Sequence, residues 1–332
     1  MAKKNEMDYM FLTGRLRAME RSLLSSEKID RMLDADDISD AAKVLTECGY
    51  PEIAEVNVDS VNEALSKHRD EVYSDLYLFA PDARIIDVFR LKYDYHNVKV
   101  ILKAEAKNID ADYLLVNTGL VAPDVLKEAV RTGSYYGLFG SLESAVPKAR
   151  EVLGATKDPQ LCDFVLDSAY FKDMQTLADE AQSDFLKGYV AAMVDCANLK
   201  SLVRTLRMGK DVEFLKGVLF EGGGVDTGRI ILSVISGNAT TEAFAMSAFS
   251  EAADEGAKVL SGGSLTKFEK LCDNAVIGYI KKAKYITFGE APLVAYLAAV
   301  ENDFTAARII MTGRLADLDT DTIRERLRES YV

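Results

Sequence analysis

Histidine and cysteine are scarce in this chain of 332 residues: two histidines, His68 and His96, and four cysteines, Cys48, Cys162, Cys196 and Cys272. The cysteines form no C-x-x-C pair and the histidines no pair at ligand spacing, which excludes an ordinary zinc site. The four scattered thiols read as reduced and mostly buried. Only 6 prolines occur, so few segments read as linkers. The longest apolar run, Ala291–Val300, contains Pro292 and falls far short of the roughly 20 residues a membrane helix needs. The opening MAKKNEMDYM lacks the apolar centre of a signal peptide, so the expected location is the cytoplasm. Basic residues are in deficit, 40 against 53 acidic, for a net charge of −13. That balance argues against general nucleic-acid or anionic-membrane binding, while leaving room for a local basic patch.

Catalytic motifs are missing as well. There is no G-x-S-x-G and no H-E-x-x-H. The stretch Gly223–Ile230 has the glycine spacing of a phosphate loop, but Arg229 and Ile230 stand where that loop needs Lys and Ser or Thr. Gly222, Gly223 and Gly224 read instead as a helix terminator and tight turn. The acidic clusters Asp34–Asp40 and Asp317–Asp321 suit helix starts, where negative charge favours the dipole.

What the chain does contain is helical periodicity and a repeat. Tyr9, Leu12, Leu16, Met19 and Leu23 recur every three to four residues, which predicts an amphipathic helix. Further helices are expected after Asp36-Asp37, over Asp59–Leu78, Cys162–Gln182 and Leu265–Ala283. Helix stops are expected at Gly119, Gly133, Gly209, Gly237, Gly262, Gly289 and Gly313 among others. Strand-length alternation is absent, so the fold class is all-α.

Three segments spaced roughly a hundred residues apart resemble one another: YDYHNVKVILKA from Tyr93, VDCANLKSLVRT from Val194 and, more weakly, ENDFTAARIIMT from Glu301. They align Asp94, Asn97 and Lys99 with Asp195, Asn198 and Lys200, and with Asp303, Ala306 and Arg308. Three repeats of about a hundred residues follow, with boundaries at 1–113, 114–217 and 218–332. On a helical wheel of about 100° per residue, Asp94 and Asn97 share the apolar arc with Val98, Ile101 and Leu102. Lys92, Lys99, Lys103 and His96 fall on the opposite side, and the second repeat places Lys200 and Arg204 likewise. A buried carboxylate and amide must be hydrogen-bonded. Asp94, Asn97, Asp195, Asn198 and Asp303 are therefore expected to join one helix to the start of another, with different bonding where Ala306 replaces Asn. The competing reading gives the pairs acid–base work, which requires Asp94 or Asp195 to face a pocket. The basic stripe of Lys99, Lys103, Lys200, Arg204 and Arg308 is either a solvated face or a contact for an acidic partner.

These segments, in their order and spacing, carry a family resemblance. Tyr93-x-x-His96-Asn97-Val98-Lys99, Asp195-x-x-Asn198-Leu199-Lys200-x-Leu202-x-Arg204, Pro292-Leu293-x-x-Tyr296 with its Glu301/Asp303…Arg308 tail, the Tyr9…Arg15 helix and the closing Glu325–Tyr331 resemble the C subunit of prokaryotic V-type (A-type) ATPases, the homologue of the d subunit of eukaryotic V-ATPases. The resemblance covers essentially the full length. It implies three similar helical domains around a pseudo-threefold axis, forming a funnel, with no catalysis and no cofactor. It implies one copy per complex, peripheral to the membrane without entering the bilayer. There it would link the central shaft, made of the D and F subunits, to the membrane proteolipid ring and pass torque between them for ion transport. A helical repeat scaffold unrelated to an ATPase is the alternative.

Overall fold

The computed structural model describes residues 5–237 and 240–332; Met1–Lys4 of the opening stretch lie outside the described residues. Among those residues the secondary structure is helical and no strand occurs, as the absence of alternation predicts. In chain order the helices are α1 (Met10–Met19), α2 (Ser26–Asp34), α3 (Ile38–Glu47), α4 (Val58–Phe79), α5 (Arg84–Lys107), α6 (Pro123–Thr132), α7 (Leu142–Thr156) and α8 (Pro159–Ala181). They continue with α9 (Asp184–Arg207), α10 (Val212–Val218), α11 (Thr227–Ile235), α12 (Thr241–Phe244), α13 (Ser250–Leu260), α14 (Leu265–Ile280), α15 (Ala291–Leu315) and α16 (Thr320–Arg326).

Contacts divide the chain into two compact units. Among the described residues, one comprises Tyr73–Asp184; the other joins residues 5–72 with Phe185–Val332. In the first, α5 and α8 pack along their lengths and α7 lies against both. The Lys99–Asp167 and Lys103–Asp163 ion pairs run up one helix and down the other, so α5 and α8 are antiparallel. In the second unit α15 is the central element, packed against α1, α2, α3, α14 and α16. Its first ten residues, the longest apolar run of the sequence, are all buried. That explains their composition: α15 needs no polar face there, because neighbours cover it on all sides.

Helix starts follow the acidic and hydroxyl residues. Asp37 accepts from the Asp40 amide at the start of α3, and Asp319 from the Thr322 amide at the start of α16, as both acidic clusters suggest. Ser25 does the same for α2, a helix that the periodicity does not predict. The expected single helix from Tyr9 through Leu23 is broken: a 3₁₀ turn at Glu6–Tyr9, then α1, then a second 3₁₀ turn at Glu20–Ser22. Gly133 and Gly209 take the left-handed backbone expected of helix terminators. Gly313 does not end a helix. It is buried inside α15, and a Cβ there would come within 2.8 Å of Ile323 Cγ1, so glycine lets α16 lie close.

Candidate functional site

The repeated Asp and Asn are buried hydrogen-bond acceptors and donors that fasten loops to long helices. In α5 the two Asp94 carboxylate oxygens accept from the amides of Leu120 and Val121, both at 2.9 Å. One turn on, Asn97 exchanges both of its groups with one residue. Its Oδ1 accepts from the Val116 amide at 2.9 Å, and its Nδ2 donates to the Val116 carbonyl at 2.8 Å. In α9 the pattern recurs. Asp195 accepts from Gly224 at 3.1 Å and Val225 at 2.9 Å, and Asn198 exchanges bonds of 2.7 and 2.8 Å with Phe220. Asp94, Asn97 and Asn198 have no exposed surface. The clamped residues sit just ahead of Ala122 and Asp226, the residues that cap α6 and α11. The pairs thus join one helix to the start of another, as the sequence predicts.

The close approach explains the glycines. A Cβ on Gly119 would lie 2.1 Å from Asp94 Oδ1, and one on Gly223 2.3 Å from Asp195 Oδ1. Gly119 and Gly223 are therefore not the helix stops expected from sequence. They are the positions where the backbone passes against a carboxylate, and a side chain would displace it.

Asp303 shows the expected departure. In α15 its Oδ2 accepts from one backbone amide, Leu24, at 2.7 Å, and Leu24 precedes Ser25, the cap of α2. The partner of Asp303 thus comes from near the beginning of the chain. Ala306 is buried and offers no amide. None is required: Val116 and Phe220 lie in irregular backbone five residues before Val121 and Val225, whereas the corresponding Met19 lies within α1. There the helix itself serves the peptide group.

Burial governs the electrostatics of all three acids. It pushes Asp94 up to about 6, against the pull of the Val121 and Leu120 amides. Asp195 is raised by the same cause, opposed by Val225 and Gly224. Asp303 is raised to about 8, with the Leu24 amide opposing burial. Burial is the largest cause at each acid, and the donated amides, two at Asp94 and one at Asp303, oppose it by stabilising the carboxylate form.

The basic stripe is engaged inside the units. Lys99 pairs with Asp167 and Lys103 with Asp163 across α5 and α8. Lys200 pairs with Asp273 and Arg204 with Glu269 across α9 and α14. Arg328 binds the other oxygen of Asp273 at 2.8 Å. Lys99 and Lys200 are about three-quarters covered, while Arg204 stays more than half exposed and Arg308 is exposed on α15.

Sequence reasoning missed a further clamp. Asp173 of α8 accepts from the Ser141 amide at 2.9 Å and from the Tyr95 hydroxyl at 2.7 Å, and a Cβ on Gly140 would lie 2.5 Å from its Oδ2. Burial and Asp173 together push the Tyr95 hydroxyl far up. The available signal was Gly140-Ser141 ahead of a helix, the same glycine-then-helix order as at Gly119.

Among the described residues no group of His, Cys, Asp and Glu could hold a metal ion, and no helix is long and apolar enough to cross a membrane. Known proteins resemble the chain over about two thirds to nearly all of its length. The C subunit of the V-type sodium ATPase of Enterococcus hirae is 24% identical over 329 residues, covering 98% of this chain and 99% of that protein. The C subunit of the V-type ATP synthase of Thermus thermophilus is 27% identical over 224 residues, 64% of this chain and 68% of that protein. The C subunit of the A-type ATP synthase of Methanococcoides burtonii is 22% identical over 348 residues, 96% of this chain and 94% of its own. The sequence profile described as ATP synthase (C/AC39) subunit matches residues 12–326, and with helices and clamps throughout that span the chain belongs to that family.

Proposed function

We propose that this protein is the non-catalytic rotor adaptor of a V/A-type rotary ATPase. In this reading it links the central shaft, made of the D and F subunits, to the membrane proteolipid ring and carries torque between them. One copy serves each complex, at the cytoplasmic side and peripheral to the bilayer. The observation that carries the reading is the co-extensive match to the C subunit of a V-type sodium ATPase, 98% of one chain against 99% of the other. Family membership leaves the unrelated scaffold without support.

The clamps support a mechanical role. A torque-carrying piece must resist shear between its helices. Loops tied to long helices by buried, fully bonded carboxylates and amides resist sliding, because each broken bond strands a polar group away from water. Asp94 and Asp195 commit both oxygens to backbone amides, an arrangement that holds loops rather than exchanging protons with a substrate. Three repeats with boundaries near 113 and 217, arranged as a funnel about a pseudo-threefold axis, belong to the same proposal. Within it, Lys99, Lys103 and Lys200 hold helices together, and the exposed Arg204 and Arg308 are the stripe's contacts with an acidic partner.

The test is a binding experiment. Purified chain is mixed with the D and F shaft subunits, and separately with the detergent-solubilised proteolipid ring, at low salt. Co-elution at one copy per shaft or ring is expected. Retention by neither would overturn the proposal.

A further inference from the structure

Lys99, Lys103, Lys200 and Arg204 are paired with carboxylates of neighbouring helices, but a second group of lysines is not. The 3₁₀ turn Lys281–Tyr285, between α14 and α15, carries three of them. Lys281 pairs with Glu329 at 2.8 Å. Lys282 and Lys284 meet no carboxylate among the described residues. Each lies instead over an aromatic ring, Lys282 over Tyr279 and Lys284 over Tyr331, both at 4.9 Å from the ring centre. A ring orients an ammonium group without neutralising it. The three lysines line one open cleft of about 540 Å³, together with Tyr285, Tyr331 and Glu329 among others, all within the second unit. Glu329 is already held by Lys281, so the cleft keeps two positive side chains in excess on a protein of net charge −13.

From this arrangement we propose that the cleft is a docking surface for an acidic segment of a partner protein. Carboxylates of that segment meet Lys282 and Lys284, and an aromatic or apolar side chain beside them packs on Tyr285. Charge complementarity selects the occupant: two cations without an internal partner stand in one concavity of an otherwise acidic molecule. The apolar part of the contact is also exposed. Tyr285 leaves 91% of its surface open, and Ile286 and Phe288 follow it on the surface.

The walls of the cleft are set before anything binds. Arg17 of α1 donates to the carbonyls of Ala283 and Ile286 at 2.9 and 3.1 Å, which pins the backbone that carries the lysines. On the facing wall Asn302 donates to the Glu329 carbonyl at 3.0 Å, and the Glu329 amide donates to Asn274 at 2.9 Å. A pinned backbone loses little freedom on binding. The volume lies within the range of about 300–1,000 Å³ typical of recognition pockets. A lipid surface fits less well. Attraction to anionic lipid takes clusters of about four to eight basic residues near a bilayer face, whereas here two free cations share a concavity.

Full-length chain is titrated at low salt into a short fluorescein-labelled peptide rich in Glu with a Phe at its centre, and into the same peptide with Gln for Glu, and anisotropy is read. Saturable binding of the Glu peptide that weakens with added salt is expected, with none for the Gln peptide. Lys282→Glu/Lys284→Glu should weaken binding about tenfold, since two exposed charge contacts are reversed. Lys107→Glu/Lys148→Glu makes the same charge change at exposed lysines of the other unit and should leave binding unaltered. If circular dichroism shows the first variant unfolded, Lys282→Gln/Lys284→Gln replaces it, with a smaller loss expected. Equal losses in the two charge-matched variants, or no saturable binding of the Glu peptide, would overturn the proposal. Phosphatidylserine vesicles that bind the wild type where the peptide does not would overturn it in favour of a lipid headgroup. Peptide binding is read without any ATPase subunit, so a failure of rotor assembly leaves this result standing.

Discussion

The clamp of α9 and the clamp of α15 solve one problem with different means. On α9, Asp195 takes two amides and Asn198 takes both groups of Phe220. On α15, Asp303 takes one amide and the neighbouring Ala306 takes none. The difference lies in what each helix is asked to hold. Phe220 sits in irregular backbone with a peptide group to satisfy, while Met19 lies in a helix. Polar side chains are placed where local backbone structure leaves a peptide group unserved, and apolar ones where it does not.

The sharpest way to break this contrast is to remove the amide where it is needed. Asn198→Ala strands both the amide and the carbonyl of Phe220 in the core. It should destabilise the protein by about 4 kcal/mol in urea denaturation, at about 2 kcal/mol for each stranded group. The reciprocal change, Ala306→Asn, brings an amide with nothing to bind and should also destabilise, by about 2 kcal/mol. If Ala306→Asn stabilised the chain, the account of Met19 would be wrong.

Next comes the glycine. Gly223→Ala puts a Cβ into the space of Asp195 Oδ1 and should cost about 3 kcal/mol, the upper part of the range for overpacking. Gly313→Ala meets the side chain of Ile323 instead of a carboxylate, and regains some helix propensity. Its cost should be about 1 kcal/mol. Equal losses from the two would show that the carboxylate yields as readily as an isoleucine. Thermal or chemical unfolding of the pair decides it.

Charge reversal compares the two rungs of the basic stripe. Lys200→Glu faces Asp273, which keeps its bond to Arg328, whereas Lys99→Glu faces Asp167 on a simpler pair. Both should lower stability, each by about 2 kcal/mol after allowance for partial exposure. Added salt should recover part of the loss. A binding defect in Lys200→Glu with unchanged unfolding would move that lysine from the interior network to a partner surface.

A last comparison is the pH dependence. Folded Asp303 is raised to about 8 and Asp94 to about 6, both by burial. In the unfolded chain each returns to about 4. Between those limits the folded form keeps a proton that the unfolded form has lost, so the contribution of these groups to stability falls as pH rises. The share from Asp94 ends near pH 6 and that from Asp303 near pH 8. Melting temperature should therefore decline more steeply between about pH 6 and 8 in the wild type than in Asp303→Asn. Parallel profiles would mean that Asp303 is ionised in the fold at neutral pH.

The sequence made the helices, the recurring Asp and Asn and their burial legible, because amphipathic spacing and a repeated polar pair on an apolar arc are local patterns. It also foretold that Ala306 must change the bonding. It did not identify Leu24 as the partner of Asp303. Nothing near residue 24 resembles Leu120-Val121 or Gly224-Val225 closely enough to read. Gly119 and Gly223 were legible as glycines but not in their reason, which is a carboxylate from a helix more than twenty residues away. The cations of the stripe were visible as one face, yet their partners Asp167 and Asp273 were not.

Helicity and the placement of polar groups on an apolar face follow from neighbours along the chain, where spacing and propensity act within a few turns. Which amide each carboxylate accepts from and which acid each lysine meets depend on how helices distant in sequence pack. Those choices were made by the folded chain, because they balance burial against bonding over partners that no local pattern brings together.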